Sequence, residues 1–241
     1  MGENLETAMP VVAGERQGCA MKGDDVHAAT GDATWTVGPG DPDFPRRLAD
    51  ETKLRESLVL HARGSRSILH QPWLALICSV QCPGSVVIKT FDSIRELRDA
   101  GVAMAGGFHS PMEQDCLDFL LRGNQPVVVC PAKGLAHVRL PEAWSAGIEA
   151  GRLLLLSPFG DDVQRTTTAQ AQTRNQLVAA LSNAVLIPHA SPGGKAEAVA
   201  RQVLERGQPL FTFDDDENAK LLEQGAWPYD LNGIAKLLGP Q

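Results

Sequence analysis

A chain of 241 residues, 43% hydrophobic and 21% charged, has apolar material for one large α/β domain with small appendages. Its formal charge of −7 excludes a basic protein that coats nucleic acid through bulk electrostatics. No apolar run approaches the ~20 residues that span a bilayer, and the start MGENLE has neither an apolar signal core nor a myristoylation pattern. The reading is a cytoplasmic protein with no membrane contact.

Residues 1–34 hold six acids and two bases with little apolar periodicity, which predicts a disordered acidic tail. A Pro/Gly-rich lead-in, GPGDPDFPRRL, and a short strand, SLVLHAR, occupy the 35–72 region. From Trp73 the pattern is regular. Strand-length apolar runs stand at 73–79, 102–106, 126–130, 152–157, 184–188 and 209–213. Each run is nearly continuous rather than alternating, as in strands covered on both faces.

Helical stretches separate the strands. Val87, Phe91, Ile94 and Leu97 fall on one face of the first, with Gly101 as its stop. Met112, Cys116, Phe119 and Leu120 form the stripe of the second, with Pro111 in its first turn. Ala196, Val199, Val203 and Leu204 do the same before Gly207. Strands alternating with helices predict right-handed crossovers and a mostly parallel sheet. The fold class is therefore α/β, a Rossmann-like doubly wound sheet with helices on both faces, over residues 73–226. Residues 227–241 form a short C-terminal segment.

Five scattered cysteines (Cys19, Cys78, Cys82, Cys116, Cys130) lack a second ligand pair at zinc spacing, so no metal site is expected. The acid is concentrated. Residues 1–34 contribute −4 and Asp214–Glu217 another −4, which leaves +1 on the rest of the chain. A local cationic patch is compatible with that body.

In such a sheet ligands gather at the carboxyl ends of the strands, beside helix N-termini. Four loops qualify. The first, 78–86, carries Ser79, Gly84 and Ser85; the second, 106–113, carries Gly106, Gly107, His109 and Ser110. The third is read as the opening of a helix and carries Arg174 and Asn175. The fourth, 189–197, carries Gly193, Gly194 and Lys195. Glycines admit a ligand close to the backbone, helix N-termini attract anions, and Arg174 and Lys195 add full charges. Neither arginine nor lysine is read as core. Singly, each feature is a turn, a cap or a surface charge; Ser110 reads as a helix cap and Glu113 as an acid in a helix's first turn. Together they predict a phosphate-binding surface. The dinucleotide and Walker glycine patterns are absent.

The stretch RNQLVAALSNAVLIPHA is similar to the RNR-x-x-a-g-L-S-d-a-V-l-V-v-E-A segment of the DprA/Smf DNA-processing proteins. PGGKAEAVARQVLERGQPLFTF and LLEQGA resemble the segments C-terminal to it in that family, and DFPRRLAD, LVLHARGSRSIL and AGGFHSPMEQDCLDFLLRG resemble the segments N-terminal to it. The likeness runs in order from about Asp43 to Ala226. It implies a Rossmann-like domain that binds single-stranded DNA, self-associates as a possible homodimer, and passes DNA to a RecA-type recombinase during natural transformation. No cofactor is implied.

Several motifs depart from the family pattern. G-S-R after the first core strand is here Cys78-Ser79-Val80, and G-I-D…H is replaced by HSPMEQDC. The strand-end Glu is His189, the Ser-Gly position reads Pro192-Gly193-Gly194-Lys195, and no winged helix is expected after Ala226. The wider SLOG superfamily, which includes phosphoribohydrolases with a PGG-x-GT-x-x-E motif, supplies an alternative. On that reading Pro192-Gly193-Gly194 and Glu197 belong to a nucleotide-binding protein or a nucleotide-hydrolysing enzyme. Non-catalytic strand binding ranks first, a nucleotide ligand second, and a scaffold that lost its ligand third.

Overall fold

The computed structural model describes residues 33–49 and 58–239. The expected acidic tail lies outside the described residues except at its last two positions, and Thr34 already begins a strand. The lead-in supplies β1 (Thr34–Val37), the short helix α1 (Arg46–Ala49) and β2 (Leu60–Gly64). Then come β3 (Leu74–Leu76), α2 (Gly84–Asp99), β4 (Met104–Gly106), α3 (Pro111–Leu121) and β5 (Val127–Val129). The second half contains α4 (Glu142–Glu149), β6 (Leu153–Ser157), α5 (Thr168–Leu181), β7 (Ala184–Leu186) and α6 (Lys195–Glu205). It closes with β8 (Leu210–Thr212), α7 (Ala219–Glu223), β9 (Trp227–Pro228) and α8 (Leu231–Leu238).

One sheet holds all nine strands in the order β1-β2-β6-β5-β4-β3-β7-β8-β9. The pairs from β6 through β9 are parallel, while β2 runs antiparallel to β6 and β1 antiparallel to β2. Thus the lead-in and the C-terminal segment extend the same sheet at its two ends.

Continuous apolar runs follow from coverage on both faces. Ala75, Ala105, Val128, Leu154 and Val185 point to a core shared with α5 and α6. Their neighbours Leu74, Met104, Val127, Leu153 and Leu186 point to a second core beneath α2, α3 and α8. Side chains alternate along each strand, yet both directions lead to apolar cover.

Two expectations shift. The buried face of α2 is Val86, Thr90, Ile94 and Leu97, while Val87 and Phe91 are half-buried at its edge. Phe91 there meets Phe119 edge-on, with ring centroids 5.3 Å apart. The helix carrying Arg174 begins at Thr168, six residues before it, so Arg174 does not open a helix. Between β5 and β6 stands α4, a helix for which the sequence analysis made no assignment.

The topology fixes where a ligand can enter. From β3 the chain steps outward through β4, β5 and β6, then crosses back to β7 on β3's other side. The helices that follow β3 and β7 lie on opposite faces of the sheet, α2 over one core and α6 over the other, which opens a crevice at the carboxyl ends of these two strands.

Candidate functional site

A cleft of about 530 Å³ occupies that crevice. Its walls come from the loop after β3, the start of α3, the first two turns of α5 with the threonines before it, and the start of α6. Of the residues singled out in the sequence, Ser79, His109, Ser110, Arg174, Asn175, Gly194 and Lys195 line it. Gly84, Ser85, Gly106, Gly107 and Gly193 lie outside its lining. The threonine wall, Thr166-Thr167-Thr168, escaped the sequence reading. Its signal was a capping box: Thr167 Oγ1 accepts from Gln170 N at 3.3 Å, and Gln170 Oε1 accepts from Thr167 N at 2.7 Å.

Arg174 is the floor. Sitting in the second turn of α5, it is only 4% exposed, which corrects its reading as a surface residue. Its Nη1 donates to the Cys130 carbonyl at 2.7 Å, while its Nε is buried with no hydrogen-bond partner. Burial pulls the guanidinium's pKa below its ordinary value, and the Glu113 carboxylate opposes that shift. Gly107 explains how the side chain fits. A Cβ there would sit inside the guanidinium, so the residue is glycine to clear a path for Arg174 rather than to touch a ligand.

Glu113 ties two walls together. Its Oε1 accepts from Cys78 N at 3.2 Å, and its Oε2 accepts from His109 N at 3.0 Å and Ser110 N at 3.2 Å. Ser110 Oγ accepts from Glu113 N at 3.3 Å in return, completing a capping box. Backbone donors at the start of α3 are thereby taken by the protein's own carboxylate. Phe108, with φ of 45°, is buried, and its ring lies 3.0 Å from where a Gly106 Cβ would stand. That fills the space a larger residue at 106 would need.

The third helix start differs. Lys195 is the first residue of α6 and is exposed, and the preceding Gly194 offers no side-chain cap. Of the three helices whose first turns line the cleft, α3 and α5 carry capping boxes and α6 does not. The loop leading to it is pinned to the loop after β3, because Ser191 N donates to Ser79 Oγ at 2.9 Å. Gly193 has φ of 69°, and its N–H donates to Glu197 Oε2 at 2.6 Å. Glu197 also pairs with Lys220, and the ammonium together with the Gly193 N–H holds its carboxyl below the usual range.

Two thiols stand beside the cleft. Hydrogen bonding from Cys78 lowers the Cys82 thiol, while Cys78 itself is pushed up by that contact and by burial. No cluster of three His, Cys, Asp or Glu side chains suited to a metal exists among the described residues. A larger cavity, about 630 Å³, opens at the opposite edge of the sheet beside Arg46, Arg47 and His70. It gathers none of the residues singled out above, and it is remote from the strand carboxyl ends.

A family model described as DNA recombination-mediator protein A matches residues 35–237. Among solved structures, DNA processing protein A from Streptococcus pneumoniae superposes with a TM-score of 0.71 at 17% identity, covering 86% of this chain and 75% of that one. DNA processing protein A from Helicobacter pylori, described with a single-stranded DNA binding mode, gives 0.67 at 21% identity, covering 87% and 97%. A molybdenum cofactor binding protein from Rippkaea orientalis gives 0.50 at 10% identity, covering 70% and 95%. No curated protein sequence matches the chain. Among the described residues no helix is long and apolar enough to cross a membrane.

Proposed function

This chain belongs to the DNA recombination-mediator protein A family, and from that premise we propose that it binds single-stranded DNA through the cleft between β3 and β7 without carrying out chemistry on it. One observation carries the placement: a buried arginine, whose enclosed Nε has no hydrogen-bond partner, lines a cleft rimmed by an uncapped helix start and an exposed lysine. Burying a cation is costly unless it is paired, and a bound phosphate supplies the missing partner. The first-turn N–H groups of α6 and the Lys195 ammonium address the same anion from the rim. Ser79, His109, Ser110, Asn175 and Gly194 shape the walls around it.

The net acidity of the chain is compatible with this reading. Asp214–Glu217 stands after β8 at the same edge of the sheet, with Asp215 paired to Lys89 at 2.9 Å. That run repels a strand from one side and leaves the cleft as the favourable approach. Hydrolysis of a nucleotide is not favoured. Both acids near the cleft are already engaged, Glu113 by three backbone N–H groups and Glu197 by Lys220 and Gly193. The family further supports transfer of DNA to a RecA-type recombinase in natural transformation, self-association, and a place in the cytoplasm.

A titration of a labelled single-stranded oligonucleotide at several salt concentrations tests the site. Lys195→Ala should weaken binding about equally for all sequences and lower the dependence of log affinity on log salt by about 0.7, the value for one phosphate contact on a single strand. Arg174→Ala should do the same while also lowering stability. An unchanged affinity and salt slope in both variants would refute the cleft as the binding site.

A further inference from the structure

Cys78 and Cys82 stand towards the two ends of the loop that leads from β3 into α2. The Cys78 thiol is buried at the cleft, where its Sγ donates to the His189 carbonyl at 3.6 Å. Cys82 is partly exposed and comes just before Pro83, the residue that precedes the first turn of α2. Pro83 gives that 16-residue helix no side-chain cap, so the helix's positive end favours a thiolate beside it. The two sulfurs also act on each other. Their mutual hydrogen bond is the largest influence on both thiols, lowering Cys82 and raising Cys78. Burial, Asp215 and Glu217 oppose the shift at Cys82, and Lys89 offsets Asp215 through its pairing at 2.9 Å. Burial and Glu113 add to the rise at Cys78. One thiol is thus accessible and ready to ionise, and its neighbour is enclosed and keeps its proton.

We propose that Cys78 and Cys82 are a thiol pair that a hydroperoxide oxidises to an intrachain disulfide, with Cys82 as the attacking sulfur and Cys78 as the resolving one. The Cys82 thiolate attacks the terminal peroxide oxygen. An S–O bond forms, the O–O bond breaks, and the departing oxygen takes up the proton that Cys82 had released. The Cys78 sulfur then attacks the Cys82 sulfenic acid. An S–S bond forms, the S–O bond breaks, and hydroxide leaves as water with the Cys78 proton. The two thiols give up two electrons, and hydrogen peroxide becomes two waters. The first step prepares the second. Once Cys82 is a sulfenic acid it no longer bears the charge that keeps Cys78 protonated, and the strongest restraint on that thiol is gone. Three residues separate the cysteines, so the bond closes a small ring around Ser79, Val80 and Gln81, all in the lining of the cleft. Cys116 and Cys130 do not compete, because burial raises both thiols. The chemistry uses no ligand of the cleft, so it stands apart from the strand-binding reading.

The test treats the full chain, carrying Cys19→Ser, with hydrogen peroxide. Remaining thiols are blocked with N-ethylmaleimide in denaturant, and the tryptic peptides are mapped. Both cysteines fall in one peptide, residues 67–89. That peptide should lose both labels and weigh two hydrogens less than its reduced form, and dithiothreitol should reverse the change. Cys116 and Cys130 should still take the label. Adding Cys78→Ser should leave Cys82 as a sulfenic acid that dimedone traps on the same peptide. Adding Cys82→Ser instead alters a partly exposed residue and should leave Cys78 unoxidised, which keeps the roles testable even if Cys78→Ser does not fold. Intact labels on both cysteines, first oxidation at Cys116 or Cys130, or a bond between chains in place of the intrachain one overturns the inference. So does a Cys82→Ser chain in which Cys78 oxidises as fast as Cys82 does beside an intact Cys78.

Discussion

Gly107→Ala is the sharpest probe of how the cleft is built. An added Cβ would coincide with the guanidinium of Arg174, and no small adjustment separates two groups that share one space. The backbone itself is no obstacle, because Gly107 is absent from the residues with positive φ. The alanine therefore acts by expelling Arg174 from its seat. What is lost is the bond from Nη1 to the Cys130 carbonyl, 2.7 Å long and buried. A hydrogen bond to a charged group is worth about 1.5–3 kcal/mol. For a domain of this size each kcal/mol moves the midpoint of melting by about 2–4 °C, so a fall of about 3–12 °C is expected. Thermal melts followed by far-UV circular dichroism, with urea titrations for the free energy, measure it. The decisive comparison is the double variant Gly107→Ala/Arg174→Ala. Once the guanidinium is absent the alanine has room, so the double variant should be no less stable than Arg174→Ala alone. Additive costs within about 0.5 kcal/mol would show the two positions to be uncoupled and refute the reasoning.

Two further outcomes arise from perturbed side chains. Cys82 should be the first of the four described cysteines to react with iodoacetamide, because its thiol is lowered while burial pushes Cys130 up to about 12 and raises Cys116, and the hydrogen bond with Cys82, together with burial, raises Cys78; peptide mapping of a Cys19→Ser variant reads this, and first labelling at Cys130, Cys116 or Cys78 would contradict it. The Glu197 carboxyl is held below its ordinary value of 4.5 by Lys220 and the Gly193 N–H, so its contribution to stability is full above that value and is lost as pH falls through the lower folded value. Glu197→Gln should consequently flatten the loss of stability below about pH 4.5, and an unchanged acid slope in urea titrations would count against the pairing.

The sheet was legible because its strands are apolar on both faces. Runs such as LLLL in β6 can exist only where two layers cover them, and every such run became a strand. The edges were harder. β9 spans two residues, Trp227–Pro228, and carries no periodicity to detect. Likewise the stripe of α2 slipped by one position because Thr90 and Ser93 face the core. Thr90 Oγ1 returns its hydrogen bond to the Val86 carbonyl at 2.7 Å, which lets a polar residue be fully buried. Polarity alone had assigned that position to solvent.

The site was legible as a place and less so as a mechanism. Strand-end loops with glycines and helix starts converge in any such sheet, which is why seven of the twelve residues singled out line one cleft. What sequence could not assign was the direction in which charge faces. Arg-Asn inside a polar stretch reads as a solvated helix start, whereas the Thr167–Gln170 capping box moves the start outward and turns Arg174 beneath the cleft. A glycine that looked like a ligand contact proves to be the space that this inward turn requires. A glutamate that looked like an ordinary first-turn acid closes the amides of two loops. These three residues depend on one another. Without Gly107 the guanidinium has no path, and without Glu113 the Cys78, His109 and Ser110 amides lose the acceptor that joins their loops. Strand affinity should therefore be sensitive to Gly107 and Glu113 through Arg174, while the exposed Lys195 acts by itself at the rim.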